Sequence, residues 1–154
     1  MHKFDPANAA RLERAERYQL LPPEETLRRL GLRPGMRFLD VGAGTGFFSR
    51  AAVAIVGPAG RVIAAEMSPL MIDLLQTNGV AENMEVLHCG EYSIPLPEAS
   101  IDMALLAFVL HENVEGRRLL EEVYRTLKRG GILARAVSLI WRWGRLSARG
   151  RMGN

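Results

Sequence analysis

Short apolar runs alternate along this chain with longer stretches in which apolar residues recur every three or four positions. The runs at residues 38–41, 61–65, 84–88 and 100–107 have the length and composition of strands buried on both faces. Between them, residues 47–56 end at Gly57-Pro58, a natural helix stop, and Ser68-Pro69 caps a helix running to about residue 78. Leu70, Leu74 and Thr77 share one face of that helix, with Met71 and Leu75 alongside. A last helix over 114–128 carries Leu119, Leu120, Val123, Tyr124 and Leu127 at core spacing, with Glu115, Arg118, Glu122 and Arg125 among its polar positions. Gly130-Gly131 is expected to end it and feed a fifth strand from Ile132. Ahead of all this, Asp5-Pro6 opens a helical stretch over 7–18, residues 20–23 break it, and a second helix covers 24–30. Strands alternating with helices predict an α/β fold with a parallel sheet.

The first strand leads into the most informative spacing in the chain. Asp40, Gly42, Gly44 and Gly46 form D-x-G-x-G-x-G, which differs from the dinucleotide fingerprint G-x-G-x-x-G. Ligands of open α/β sheets bind outside the carboxyl ends of the strands, and glycines let the backbone approach them closely. An acid leading into the turn suits a cationic ligand such as a sulfonium, whereas an anionic pyrophosphate is normally held by amide donors at a helix N-terminus. A tight strand-to-helix turn with no ligand is the alternative. Strand two finishes at Glu66, 20 residues past Gly46, where nucleoside-binding folds place a carboxylate for the ribose hydroxyls. A solvated strand-end glutamate is the plainer reading of the same residue.

Taken together, LDVGAGTGFFS, VIAAEMSP, GEYSIPLP, IDMALLAFVLHE and EEVYRTLKRGGIL resemble the class I S-adenosylmethionine-dependent methyltransferases, close to the small-domain group that includes quinone-biosynthesis C-methyltransferases. The resemblance spans roughly residues 1–133. It implies a Rossmann-like doubly wound parallel sheet in the order 3-2-1-4-5, with S-adenosylmethionine as cofactor, S-adenosylhomocysteine as product and a small molecule as acceptor. By the same resemblance Gly42 and Gly44 line the methionine portion, Glu66 meets the ribose, and Glu91 with Tyr92 meets the adenine edge, where the family often has Asp in place of Glu91. Asp40, Ala43, Gly46, Met67 and Ala107 complete the expected cofactor contacts. His111, at the carboxyl edge of strand four, is the one candidate catalytic base, since histidine titrates near neutrality. A pocket residue without proton chemistry is an equal reading, because positioning a nucleophile in line with an activated sulfonium supplies much of the acceleration by itself. Glu112 either orients His111 or starts the next helix. By the same resemblance the N-terminal helices, about residues 1–30, would lie over the cofactor cleft, with Phe4, Leu12 and Tyr18 as candidate lid contacts; a plain helix packed on the sheet is an equal reading of those residues.

Charge changes the picture only at the far end. Residues 135–154 hold five arginines, no acid and both tryptophans; against the overall +3 this leaves −2 for residues 1–134. The family pattern would continue there through a further helix and strands six and seven. The expected division is therefore a methyltransferase domain over 1–134 and an atypical basic tail over 135–154. An Arg-, Gly-, Ser- and Trp-rich composition is what an out-of-frame reading of GC-rich coding DNA gives, so a frameshift or truncated gene is expected from about residue 134. The alternative is a real basic appendage, an amphipathic helix with Leu139, Ile140, Trp143 and Leu146 on one side. Without strands six and seven, strand five would keep an unpaired edge that invites self-association unless the tail covers it.

Other classes fall away on composition. Cys89 is the single cysteine, so neither a disulfide framework nor a structural zinc site is available, and His2, His88 and His111 are too scattered to argue for a metal. No stretch approaches the roughly 20 apolar residues that cross a bilayer, and the polar start has no signal-peptide core. A cytoplasmic location is expected, and nucleic acid is not expected as a partner. Two other functions remain open at this point: a non-catalytic S-adenosylmethionine-binding remnant, and a nucleotide-dependent oxidoreductase, which the glycine spacing disfavours.

Overall fold

Proline has no N–H to leave unpaired at a helix start, and Pro23 opens α1 (Pro23–Leu30) there, with Glu24 and Glu25 in the first turn and Arg28 and Arg29 in the last. Each acid pairs with the arginine four residues on. The helix closes at Gly31, whose N–H reaches the carbonyls of Leu27 and Arg28, and Leu27 is fully buried. The computed structural model describes residues 18–19, 21–107, 116–136 and 146–147. Beyond α1 the elements run β1 (Arg37–Val41), α2 (Phe47–Val56), β2 (Arg61–Glu66), α3 (Pro69–Thr77), β3 (Met84–His88), β4 (Ile101–Ala107), α4 (Gly116–Thr126), β5 (Leu127–Ala136) and β6 (Leu146–Ser147).

The strands form one sheet in the order β3-β2-β1-β4-β5-β6. The first five are parallel, as the 3-2-1-4-5 expectation requires. Strand alternation divides the sheet's side chains between two cores. Phe38, Val62, Ala64, Met103, Leu105 and Ala134 pack under α1 and α2. Their chain neighbours Leu39, Ile63, Ala65, Ala104, Leu106 and Leu133 pack on the other face with Leu119 and Val123 of α4. A one-residue slip of any strand would exchange its two sets, so the register is tightly specified.

Three expectations need adjusting. The last helix stops at Thr126, and Leu127 already pairs with Ile101. Regular pairing resumes only at Met103 with Ile132, so the glycine pair sits inside an irregular stretch of β5 instead of ahead of it. Asp102 holds that stretch: its carboxylate accepts from Arg37 N at 2.8 Å and from Lys128 Nζ at 3.1 Å. In α3 the buried residues are Met71 and Leu75, while Leu70 is exposed, because the helix turns its Met71–Leu75 edge onto the sheet. On the outer side of β5, Leu146 and Ser147 pair antiparallel with Leu133 and Ile132, so two residues of the tail lie on the edge that the loss of strands six and seven would leave open. Among the described residues there is no counterpart of the full-length strands six and seven. Of the alternative tail helix only Leu146 is described, and it lies in a strand; the helix over 7–18 lies outside the described residues apart from its last residue, Tyr18.

Candidate functional site

Parallel neighbours end together, so Val41, Glu66, His88 and Ala107 all lie at one carboxyl edge of the sheet. The glycine turn leaves that edge at β1. Gly42, Gly44 and Gly46 have φ of 71°, 58° and 92°, the left-handed region that side chains disfavour, so the spacing of the three glycines is a backbone requirement of the turn. The N–H groups of Gly42 and Ala43 donate to Ala65 O of β2, at 2.9 and 3.0 Å. Gly46 then caps α2 and packs against Leu75, whose Cγ would lie 3.4 Å from an added Cβ.

Glu66 joins the turn to the next loop. One carboxylate oxygen accepts from Gly44 N at 2.8 Å, and the other accepts from Met67 N and Ser68 N, both at 3.0 Å. Two sequence-predicted positions 22 residues apart thus meet directly. The chain continues across the edge: Cys89 N donates to Glu66 O at 3.1 Å, and the His88 ring lies 3.1 Å from Met67 O. Glu91 and Tyr92 follow, both half-buried, with the Arg118 guanidinium 4.4 Å from the Tyr92 ring centroid.

Asp40 takes a place that the spacing alone does not show. It is 2% exposed, and Ser49 Oγ of α2 donates to its carboxylate at 2.7 Å. The acid therefore braces the strand-to-helix junction from below. Ser49, fully buried in the first turn of α2, carried no signal beyond being a polar residue in an apolar helix. The Tyr18 ring packs against Phe47 at a 56° tilt with centroids 4.8 Å apart, which places Tyr18 beside the first residue of α2. Phe4, Leu12, His111 and Glu112 lie outside the described residues.

Burial, with the Glu66 charge as the smaller cause, pushes the Cys89 thiol up from 9.0 to about 11. Alkylation of Cys89 by iodoacetamide at pH 8 is expected to be about a hundredfold slower in the folded chain than in denaturant, the fall in thiolate that such a rise implies. Mass spectrometry of timed samples reads this directly, and equal rates in the two states would refute it. Among the described residues no group of three His, Cys, Asp or Glu could hold a metal, and no helix is long and apolar enough to cross a membrane.

The sequence model of a family described as "Methyltransferase domain" matches residues 39–135. The ubiquinone/menaquinone biosynthesis C-methyltransferase UbiE of Ectopseudomonas mendocina is 35% identical over 112 residues, 70% of this chain and 44% of that protein. Its counterpart in Vibrio campbellii is 34% identical over 107 residues. The chain spans less than half the length of these curated relatives. Among solved structures, a SAM-dependent methyltransferase from Aquifex aeolicus superposes with a TM-score of 0.80 at 36% identity, covering 86% of this chain and 72% of that one.

Proposed function

The chain belongs to the methyltransferase-domain family, and on that footing we propose that it binds S-adenosylmethionine at the carboxyl edge of its sheet and passes the methyl group to a small-molecule acceptor. The observation that carries this reading is the meeting of Gly44 and Glu66. A turn that keeps side chains away from a ligand and an acid with one acceptor position left beside its three backbone bonds share one spot, so accepting from both ribose hydroxyls would exchange one of those bonds. The residues present fit the cofactor.

Bound there, S-adenosylmethionine supplies a methyl group already activated on a sulfonium sulfur. The chain's own part is placement. Gly42, Ala43, Gly44 and Gly46 cradle the methionine portion, Glu66 and Met67 the ribose side, and Glu91 with Tyr92 the adenine. Ala107, half-buried at the end of β4, would line the sulfonium side. Asp40 acts through Ser49 and the turn. His111 enters as a residue of the acceptor side, where it removes a proton from the acceptor or only shapes the pocket. The division at residue 134 and a cytoplasmic location belong to the same proposal.

Calorimetric titration of the 154-residue chain with S-adenosylmethionine is expected to show saturable binding at one site per chain. A folded chain that takes up no heat with either S-adenosylmethionine or S-adenosylhomocysteine would remove the basis for the reading.

A further inference from the structure

The loop after β3 has no ladder to satisfy its backbone, and Pro95 and Pro97 leave it short of donors. Helix α4 supplies the missing partners. Glu122 Oε1 accepts the Ile94 N–H at 2.8 Å. One turn on, Arg125 donates from Nη1 to Leu96 O and from Nη2 to Ile94 O, both at 2.9 Å. The same guanidinium grips both Glu122 oxygens, at 2.9 and 2.8 Å, which holds that carboxyl below its usual range. Arg118, one turn before Glu122 on the same helix face, lies over Tyr92. The loop that carries Tyr92 is thus shaped at three levels by one helix, and that helix follows directly on residues 108–115, where His111 lies.

We propose that Glu122 and Arg125 are positioning residues for the cofactor: their joint grip on Ile94 and Leu96 sets the loop so that Glu91 and Tyr92 face the adenine. This rests on the cofactor site proposed above. A planar guanidinium suits the task because it reaches two carbonyls and a carboxylate at once, which an ammonium cannot do in the same geometry. Glutamine at 122 would still offer a carbonyl oxygen to the Ile94 N–H, whereas alanine would not. The grip on that amide and the charge of the pair can therefore be told apart.

The test is calorimetric titration of the full chain with S-adenosylhomocysteine in the wild type, Glu122→Ala, Glu122→Gln and Arg125→Lys, each checked for folding by thermal melting. Glu122→Ala and Arg125→Lys are expected to bind roughly tenfold more weakly, and Glu122→Gln to fall between Glu122→Ala and the wild type, because it keeps an acceptor for the Ile94 N–H but turns its NH2 toward the Arg125 Nε–H. Wild-type affinity in Glu122→Ala, or a loss in Glu122→Gln as large as in Glu122→Ala, overturns the proposal. Should Glu122→Ala not fold, undiminished affinity in Arg125→Lys overturns it alone. A wild type that fails to bind sinks the cofactor reading and this one together, and so is distinct from a failure confined to the variants.

Discussion

Replacing Glu66 by alanine is expected to weaken S-adenosylmethionine binding ten- to a hundredfold, about 1.5–3 kcal/mol for the loss of a charged hydrogen-bond acceptor. Two losses combine. On the proposed cofactor reading the ribose hydroxyls lose an acceptor, and the N–H groups of Gly44, Met67 and Ser68 lose the carboxylate that fastens the glycine turn to the loop after β2. Glutamine is not a conservative substitute here. Whichever way its amide turns, one NH2 group must face a backbone N–H that now donates to oxygen. Calorimetry of the three proteins checks this, and an alanine variant that binds as tightly as the wild type would show that Glu66 only ties the loops together. An internal control comes from Cys89. With the Glu66 charge gone, the lesser of the two causes that raise its thiol disappears, so alkylation should speed up while burial keeps it well below the denatured rate.

The largest stability effect is expected at Gly60. A Cβ there would lie 2.5 Å from Val56 Cβ, 2.7 Å from Val56 O and 2.8 Å from Met36 O. Two of these neighbours are backbone carbonyls, Val56 O at the end of α2 and Met36 O just ahead of β1; each already accepts a backbone N–H, from Gly35 and Arg61, and neither can swing aside. Gly60→Ala should therefore cost about 1–3 kcal/mol by overpacking, seen as a fall in melting temperature of roughly 4–10 °C for a chain of this length. Gly90→Ala serves as the comparison, since its added Cβ would meet Ser93 at an ordinary 3.5 Å. Equal melting temperatures in the two variants would mean that the α2–β2 junction relaxes freely.

Local signals and long-range ones account for what the sequence did and did not disclose. The ends of α2 and β3 fall where turn residues and apolar runs put them, at Phe47–Val56 and Met84–His88. The glycine spacing and the acid at Glu66 were legible because a positive-φ turn admits few residue types and because the acid closes an apolar run. The start of β5 was not. Leu127 fits the helical spacing of α4, and only its pairing with Ile101, far back in the chain, draws it into the sheet. The bond between Asp40 and Ser49 was hidden for a similar reason, since a serine nine positions on looks like any other helix residue. The hold of Glu122 and Arg125 on Ile94 and Leu96 leaves no trace in sequence at all, because its acceptors and donor on the loop are backbone atoms that every residue type offers.

The strand order also sets the loop-closure cost of each strand pairing. Contacts between β1 and β2 need only short closures, such as Gly44 with Glu66, 22 residues apart, and β3 adds to β2 in the same way. Seating β4 against β1 requires a closure like that of Arg37 with Asp102, 65 residues apart. By loop-closure entropy the longer one costs about 1 kcal/mol more, and it also waits for more of the chain to leave the ribosome. The β1–β2–β3 half and the β4–β5 pair, whose Ile101–Leu127 closure is also short, thus each form at a lower closure cost than the join of β1 to β4 that unites them.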